Sequence, residues 1–338
     1  DPDNTSIMLF QTCGACRATN YMNVLRMALK DAGYPQVPVF ACWGLETDAF
    51  SFTRESLIEA IKAAVYGDVL MNVKNRTMPY ELNKGETQQV YDRWMAKCKE
   101  ELSREKTSYR RFSQNIQAIV QDFEAIPIDE NMWKPKVGIV GEILAKYHPV
   151  ANNNIENVLM EEGAEVIMPD FVDFFMYSAY DAVVKRELLD GKLKSKLIAQ
   201  MFIQLMEFYR RPVRKAMKHS KRYLPPHTIG EIAALAKEHV SLGNMAGEGW
   251  FLTGEMVKLI RHGVPNVVCL QPFGCLPNHI TGKGVIHSLR KHYKEVNILA
   301  IDCDAGASEV NQLNRLKLML SVAKEKNPNM QNADLKKA

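Results

Sequence analysis

Four short apolar runs, each followed by a stretch of helical periodicity, constrain this chain more than any other feature. They are residues 137–143 (VGIVGEI), 165–171 (EVIMPDF), 266–273 (NVVCLQPF) and 296–303 (VNILAIDC). A strand that returns to its own sheet through a helix lies parallel to its neighbour. Four such units predict a doubly wound parallel sheet, a Rossmann-like domain over residues 134–325. Gly163 and Gly263 stop two of the intervening helices. Thr228-x-x-Glu231 opens another with a capping-box pattern, and Leu313, Leu316, Leu320 and Ala323 form the inner face of the last.

The first third repeats the theme on a smaller scale. Residues 6–12 (SIMLFQT) form an apolar run that ends in Cys13-Gly14-Ala15-Cys16. Tyr21, Val24, Leu25, Ala28 and Leu29 then mark an amphipathic helix stopped by Gly33, and residues 36–42 (QVPVFAC) supply a second strand. Residues 53–126 are helical with a break at Met78-Pro79. Two strands are too few for a free-standing sheet. Residues 1–133 are therefore expected to be a truncated Rossmann-like α/β domain with a helical segment, and residues 326–338 a frayed tail. The expected fold class is α/β, with two parallel-sheet domains and extensive helical insertions. No initiator Met precedes the opening DPDNTS, so the chain is expected to be a piece of a longer polypeptide.

Composition excludes some functions. With 338 residues, of which 46% are hydrophobic and 24% charged, the chain can bury two cores. No apolar run approaches the roughly 20 residues of a membrane span, and no signal-peptide pattern is present. A formal net charge of +4 is too small for this length to argue nucleic-acid binding. A cytoplasmic protein that engages neither membrane nor nucleic acid is expected. Seven irregularly spaced cysteines do not make a disulfide framework, which leaves metal ligation or thiol chemistry.

Ligands of open parallel sheets bind beyond the carboxyl ends of the strands. Three segments carry soft or polar groups there: Cys13-Gly-Ala-Cys16, Gln271-Pro-Phe-Gly-Cys275-Leu-Pro-Asn-His279, and Asp302-Cys303-Asp304 through Ser308-Glu309. Cys13 and Cys16 precede a helix, whose N-terminus favours thiolate. They suit a soft metal, a reduced structural pair or a thioredoxin-like dithiol; zinc would need a second cysteine or histidine pair at close spacing. Cys275 lies between Gly274 and Pro277, which permit a tight turn, and it shares a loop with His279. Cys269 belongs to the sheet interior, Cys42 and Cys303 are lesser strand-end candidates, and Cys98 is structural. The basic residues from Arg210 to Arg222 form a solvated helix face. Lys283 lacks the spacing and hydroxyl of a phosphate loop, and neither a GxGxxG nor a GxSxG pattern is present.

The segments at 13–21 (CGACRATNY), 138–156 (GIVGEILAKYHPVANNNIE), 247–256 (GEGWFLTGEM), 269–284 (CLQPFGCLPNHITGKG) and 301–320 (IDCDAGASEVNQLNRLKLML) resemble the 2-hydroxyacyl-CoA dehydratase components. The likeness is strongest to the large fused dehydratase-activator proteins, in which an ATPase module precedes a cluster-binding region. It implies an iron–sulfur cluster, [4Fe–4S] or double-cubane, held by Cys16 and Cys275 with Cys13 next; Ala15 stands where the family often has Pro. It also implies an ATP-dependent activase module or subunit that sends an electron through the cluster into an acyl-CoA, whose radical then expels hydroxide. In that setting Glu142, His148 and Glu309 are catalytic candidates, and Asn152, His279, Ser308 and Asn311 are substrate-binding candidates. Glu309 and Asn311 serve equally well as caps of the last helix. A double-cubane small-molecule reductase and a non-catalytic electron-transfer or docking domain are the alternatives.

Overall fold

The computed structural model describes residues 1–9, 16–41, 53–103, 108–304 and 306–325. Cys13, Cys42 and the expected tail at 326–338 lie outside the described residues.

Strand β1 (Ile7–Leu9) pairs in parallel with β2 (Val39–Ala41) across helix α1 (Tyr21–Asp31), with Ile7 opposite Val39. Met22 and Val39 are the buried centre of this unit, and Ile7, Leu9, Leu25 and Leu29 pack on them. Val24, expected on the inner stripe, is instead exposed. Three helices follow: α2 (Arg54–Thr77), α3 (Glu86–Leu102) and α4 (Tyr109–Glu124). Thr53 and Ser108 cap α2 and α4 by accepting from the N–H groups of Ser56 and Arg111.

The second part runs β3 (Lys136–Gly141), α5 (Ile143–Tyr147), α6 (Ile155–Glu161), β4 (Glu165–Ile167), α7 (Phe171–Leu188), α8 (Leu193–Lys218), α9 (Ile229–Lys237), α10 (Gly249–Arg261), β5 (Asn266–Pro272), α11 (Ile286–His292), β6 (Asn297–Cys303) and α12 (Glu309–Glu325). The four strands are parallel in the order β4-β3-β5-β6. The chain leaves β3 toward β4 and comes back to β3's other side as β5. The topological switch point therefore lies between β3 and β5, where such sheets open a crevice at their carboxyl ends.

Side-chain alternation divides the sheet between two apolar layers. Val137, Ile139, Val268, Leu270 and Ile301 pack with Ala145, Ile155, Leu159, Leu316 and Leu320 on one face. Val140, Val267, Cys269 and Ile298 pack with Leu252, Met256, Leu259 and Leu289 on the other. The capping box is present: Thr228 Oγ1 accepts from Glu231 N (3.3 Å) and Glu231 Oε2 from Thr228 N (2.7 Å).

A third apolar cluster joins α2, α3 and α4 to α7, α8, α9 and the start of α10, from Ile61, Val65 and Phe112 to Met176, Met206 and Trp250. It runs across the expected boundary at 133/134. The basic stretch departs from expectation in part. Arg210 is 2% exposed and meets Asp170 at 2.9 Å and Asp173 at 3.0 Å, while Arg222 donates to the carbonyls of Phe123 and Ile126. These two cations neutralise carboxylates and close a helix end, while Arg211, Lys215, Lys218 and Lys221 are exposed as expected. No helix among the described residues is long and apolar enough to cross a membrane.

Candidate functional site

Each strand flanking the switch point ends in a chemically useful residue. After β3, Glu142 N–H donates to Leu270 O (2.9 Å), and the Glu142 carboxylate caps α5 by accepting from Ala145 N (2.8 Å). After β5 the chain turns at Gly274 and enters a short helix whose second part, Asn278–Gly282, is a π turn. Cys275 heads this turn and is 2% exposed. His279 Nδ1 lies 2.8 Å from Cys275 O. A carbonyl only accepts, so Nδ1 carries the hydrogen and Nε2 is left as an acceptor.

The third wall comes from the start of α10. Glu248, 4% exposed, precedes this helix between Gly247 and Gly249, both at positive φ (59° and 44°). Its Oε1 accepts from Ile143 N (3.1 Å) and its Oε2 from Asn278 Nδ2 (2.8 Å). The same Asn278 amide reaches Cys275 Sγ at 3.2 Å. A methyl group on Gly247 would lie 2.7 Å from Pro277 Cγ and 3.8 Å from Cys16 Sγ. Cys16 caps the 3-10 turn that leads into α1. Cys16 Sγ thus lies beside the Gly247 turn, which packs on Pro277 two residues after Cys275, and Cys16 adds slightly to the rise of the Cys275 thiol.

Beneath these residues lies a buried, mainly acidic cluster. Lys146 Nζ sits 2.9 and 3.2 Å from the two oxygens of Glu255, with both side chains 1% exposed. With Glu142 and Glu248 this makes three buried carboxyl groups beside one ammonium. Burial pushes Glu142 up to about 7, helped by Glu248 and opposed by the N–H groups of α5 and by Lys146. Burial raises Glu248 too, against the hydrogen bonds from Ile143 and Asn278. Burial chiefly raises the Cys275 thiol; Asn278 lowers it, and Glu248 and Cys16 add to the rise. Burial thus favours the neutral form of both carboxyl groups.

The other candidates sit farther along the same edge. Asn152 is buried, its amide donating to Ala145 O (2.7 Å) and Lys146 O (3.3 Å) and its oxygen accepting from Ile155 N (3.3 Å), so it pins the loop after α5. His148 is exposed in that loop. Ser308 Oγ accepts from Asn311 N (3.4 Å) at the start of α12, where Ser308, Glu309 and Asn311 are all exposed. Asn153 joins the two groups by donating to Gln312 Oε1 (2.9 Å), and Gln312 donates to Asp302 O (2.9 Å). The structure thus gathers Cys16, Cys275, Glu142 and His279 at the crevice and leaves His148, Ser308, Glu309 and Asn311 on its rim. Cys303, half-buried at the end of β6, is pushed up to about 11 by burial, with Glu142 adding to the rise.

Sequence reasoning gave no role to Glu248, Asn278 and Lys146. Glu248 had a signal: a carboxylate between two glycines directly before an apolar helix. Comparison of the chain with protein-family models, curated proteins and solved structures finds no match.

Proposed function

We propose that this chain is the iron–sulfur-binding part of a 2-hydroxyacyl-CoA dehydratase-like system that takes its electron from an ATP-dependent activase. The observation that carries this reading is that Cys16, from the small parallel sheet, sits at the Gly247 turn that packs on the Cys275 loop at Pro277. Soft thiolates presented at two strand ends are the donors such a cluster takes. A bare thiolate at Cys275 is disfavoured by burial and by Glu248, and a positively charged centre supplies the missing stabilisation. Cys16 and Cys275 would hold the cluster, with Cys13 as the next ligand.

When bound, the cluster supplies one electron for removing a hydroxyl that acid–base chemistry alone does not expel. The chain's own part is to supply a proton and keep out water. Burial pushes the Glu142 carboxyl up to about 7, the range a general acid needs to protonate a departing hydroxyl. The Lys146–Glu255 pair and the glycine turn keep this region closed to bulk solvent.

Anaerobic reconstitution followed by iron and sulfide analysis and EPR tests the reading. Wild-type protein should hold a cluster and Cys275→Ala should lose it; an iron-free wild type, or full occupancy in Cys275→Ala, would sink it. Acyl-CoA binding to the loaded protein then separates a dehydratase from a small-molecule reductase, which should bind none.

A further inference from the structure

Asn278 has no exposed surface, and its orientation is fixed by what surrounds it. Its amide hydrogens serve Glu248 Oε2 (2.8 Å) and Cys275 Sγ (3.2 Å). An ionised Glu248 and a ligand thiolate at Cys275 both accept, and the NH2 end faces them. Asn278 Oδ1 is then left buried without a hydrogen-bond partner among the described residues.

An unpaired buried amide oxygen is costly, and an apolar side chain of the same size would avoid the cost. The compensating feature is the side-chain donor aimed at sulfur. Glu248 keeps it there, because its other oxygen is anchored to Ile143 N at the start of α5 (3.1 Å). Asn278 opens the π turn over Asn278–Gly282; such turns recur at functional sites.

We propose that Asn278 is a positioning residue that sets the electronic character of Cys275 as a ligand, its side-chain N–H drawing charge from the sulfur and raising the reduction potential of the centre it holds. This rests on the cluster-binding reading above. Hydrogen bonds to ligand sulfurs are a principal means by which a protein tunes such centres.

The test is an anaerobic EPR-monitored redox titration of the reconstituted full chain at one pH. Asn278→Leu removes the side-chain donor and should shift the midpoint to more negative potential at unchanged iron content. Asn278→Ser, which keeps a smaller donor, should recover part of the shift, and it carries the comparison if Asn278→Leu fails to keep its cluster. Thr281→Val is the control. Thr281 is 1% exposed in the same turn, but its hydroxyl donates to Pro277 O (2.8 Å) and not to sulfur, so its potential should not move. Equal potentials in wild type and the Asn278 variants, or an equal shift in Thr281→Val, overturn the proposal and leave the cluster reading standing. A wild type that takes up no iron overturns both.

Discussion

Lys146 and Glu255 form an ion pair sealed from water, the ammonium bonding both carboxylate oxygens at 2.9 and 3.2 Å. It ties α5 to α10 directly beneath the carboxyl ends of β3 and β5. Charges taken this far from water repay their desolvation only while both are present. Lys146→Met should therefore cost roughly 3–5 kcal/mol by stranding Glu255. The double variant Lys146→Met/Glu255→Met should lose much less, as no charge is left unpaired. Urea unfolding of both variants checks this, and a double variant as unstable as the single one would contradict it.

The Glu142 carboxyl makes stability depend on pH. Its pKa is about 7 in the fold against an ordinary 4.5, so the folded chain holds this proton more tightly than the unfolded chain. The stabilisation is complete below pH 4.5 and is lost as pH rises through 7. The loss amounts to at most roughly 3 kcal/mol for a shift of this size. Glu142→Gln keeps an acceptor for Ala145 N and removes the titration. Its urea midpoint should fall less than that of wild type between pH 5 and pH 8. An unchanged difference would place the pH dependence elsewhere, with Glu248 the first alternative.

The parallel sheet was legible because β3, β4 and β5 are almost wholly buried and so appear as unbroken apolar runs, bounded by Gly163, Gly263 and the polar loops. Cys275 and Glu142 were legible for a related reason, as polar residues that directly follow such runs. Asn278 and Glu248 were not, because their roles depend on a π turn and on a helix start about 30 residues away in sequence. Neither has a local spacing rule. The helical cluster shared across residue 133 was hidden too, since periodicity shows which face of a helix is buried and not what buries it. Arg210 shows the same limit: a run of Lys and Arg looks solvated until three acidic side chains, Asp170, Asp173 and Glu207, are found around one of them.

Gly247 separates backbone strain from geometry at the thiols. Its φ of 59° strains any L residue by about 1–2 kcal/mol. A methyl there also lies 2.7 Å from Pro277 Cγ, which must move together with the Cys275 turn. Gly263 has a φ of 77° with nothing within 4 Å of an added methyl. Gly247→Ala and Gly263→Ala should thus both lower the melting temperature, and only Gly247→Ala should lose iron on reconstitution. Equal iron in the two variants would show that the Gly247 turn does not set the spacing of the two thiols.

Cys98 provides the complementary case of a cysteine that is buried but remote from the site. It is 3% exposed in the cluster formed by α2, α3 and α4, and burial pushes its thiol up to about 12. No strand end lies beside it, and the thiol acts as a small apolar group. Cys98→Ala should cost about 1–2 kcal/mol through the cavity left by the sulfur, the scale of deleting a single buried atom group. Its iron content should equal that of wild type. Cys275→Ala should show the reverse pattern, with a smaller stability change in the metal-free protein and loss of iron. Iron lost from Cys98→Ala at temperatures where that variant remains folded would mean that ligation is spread beyond the switch-point crevice.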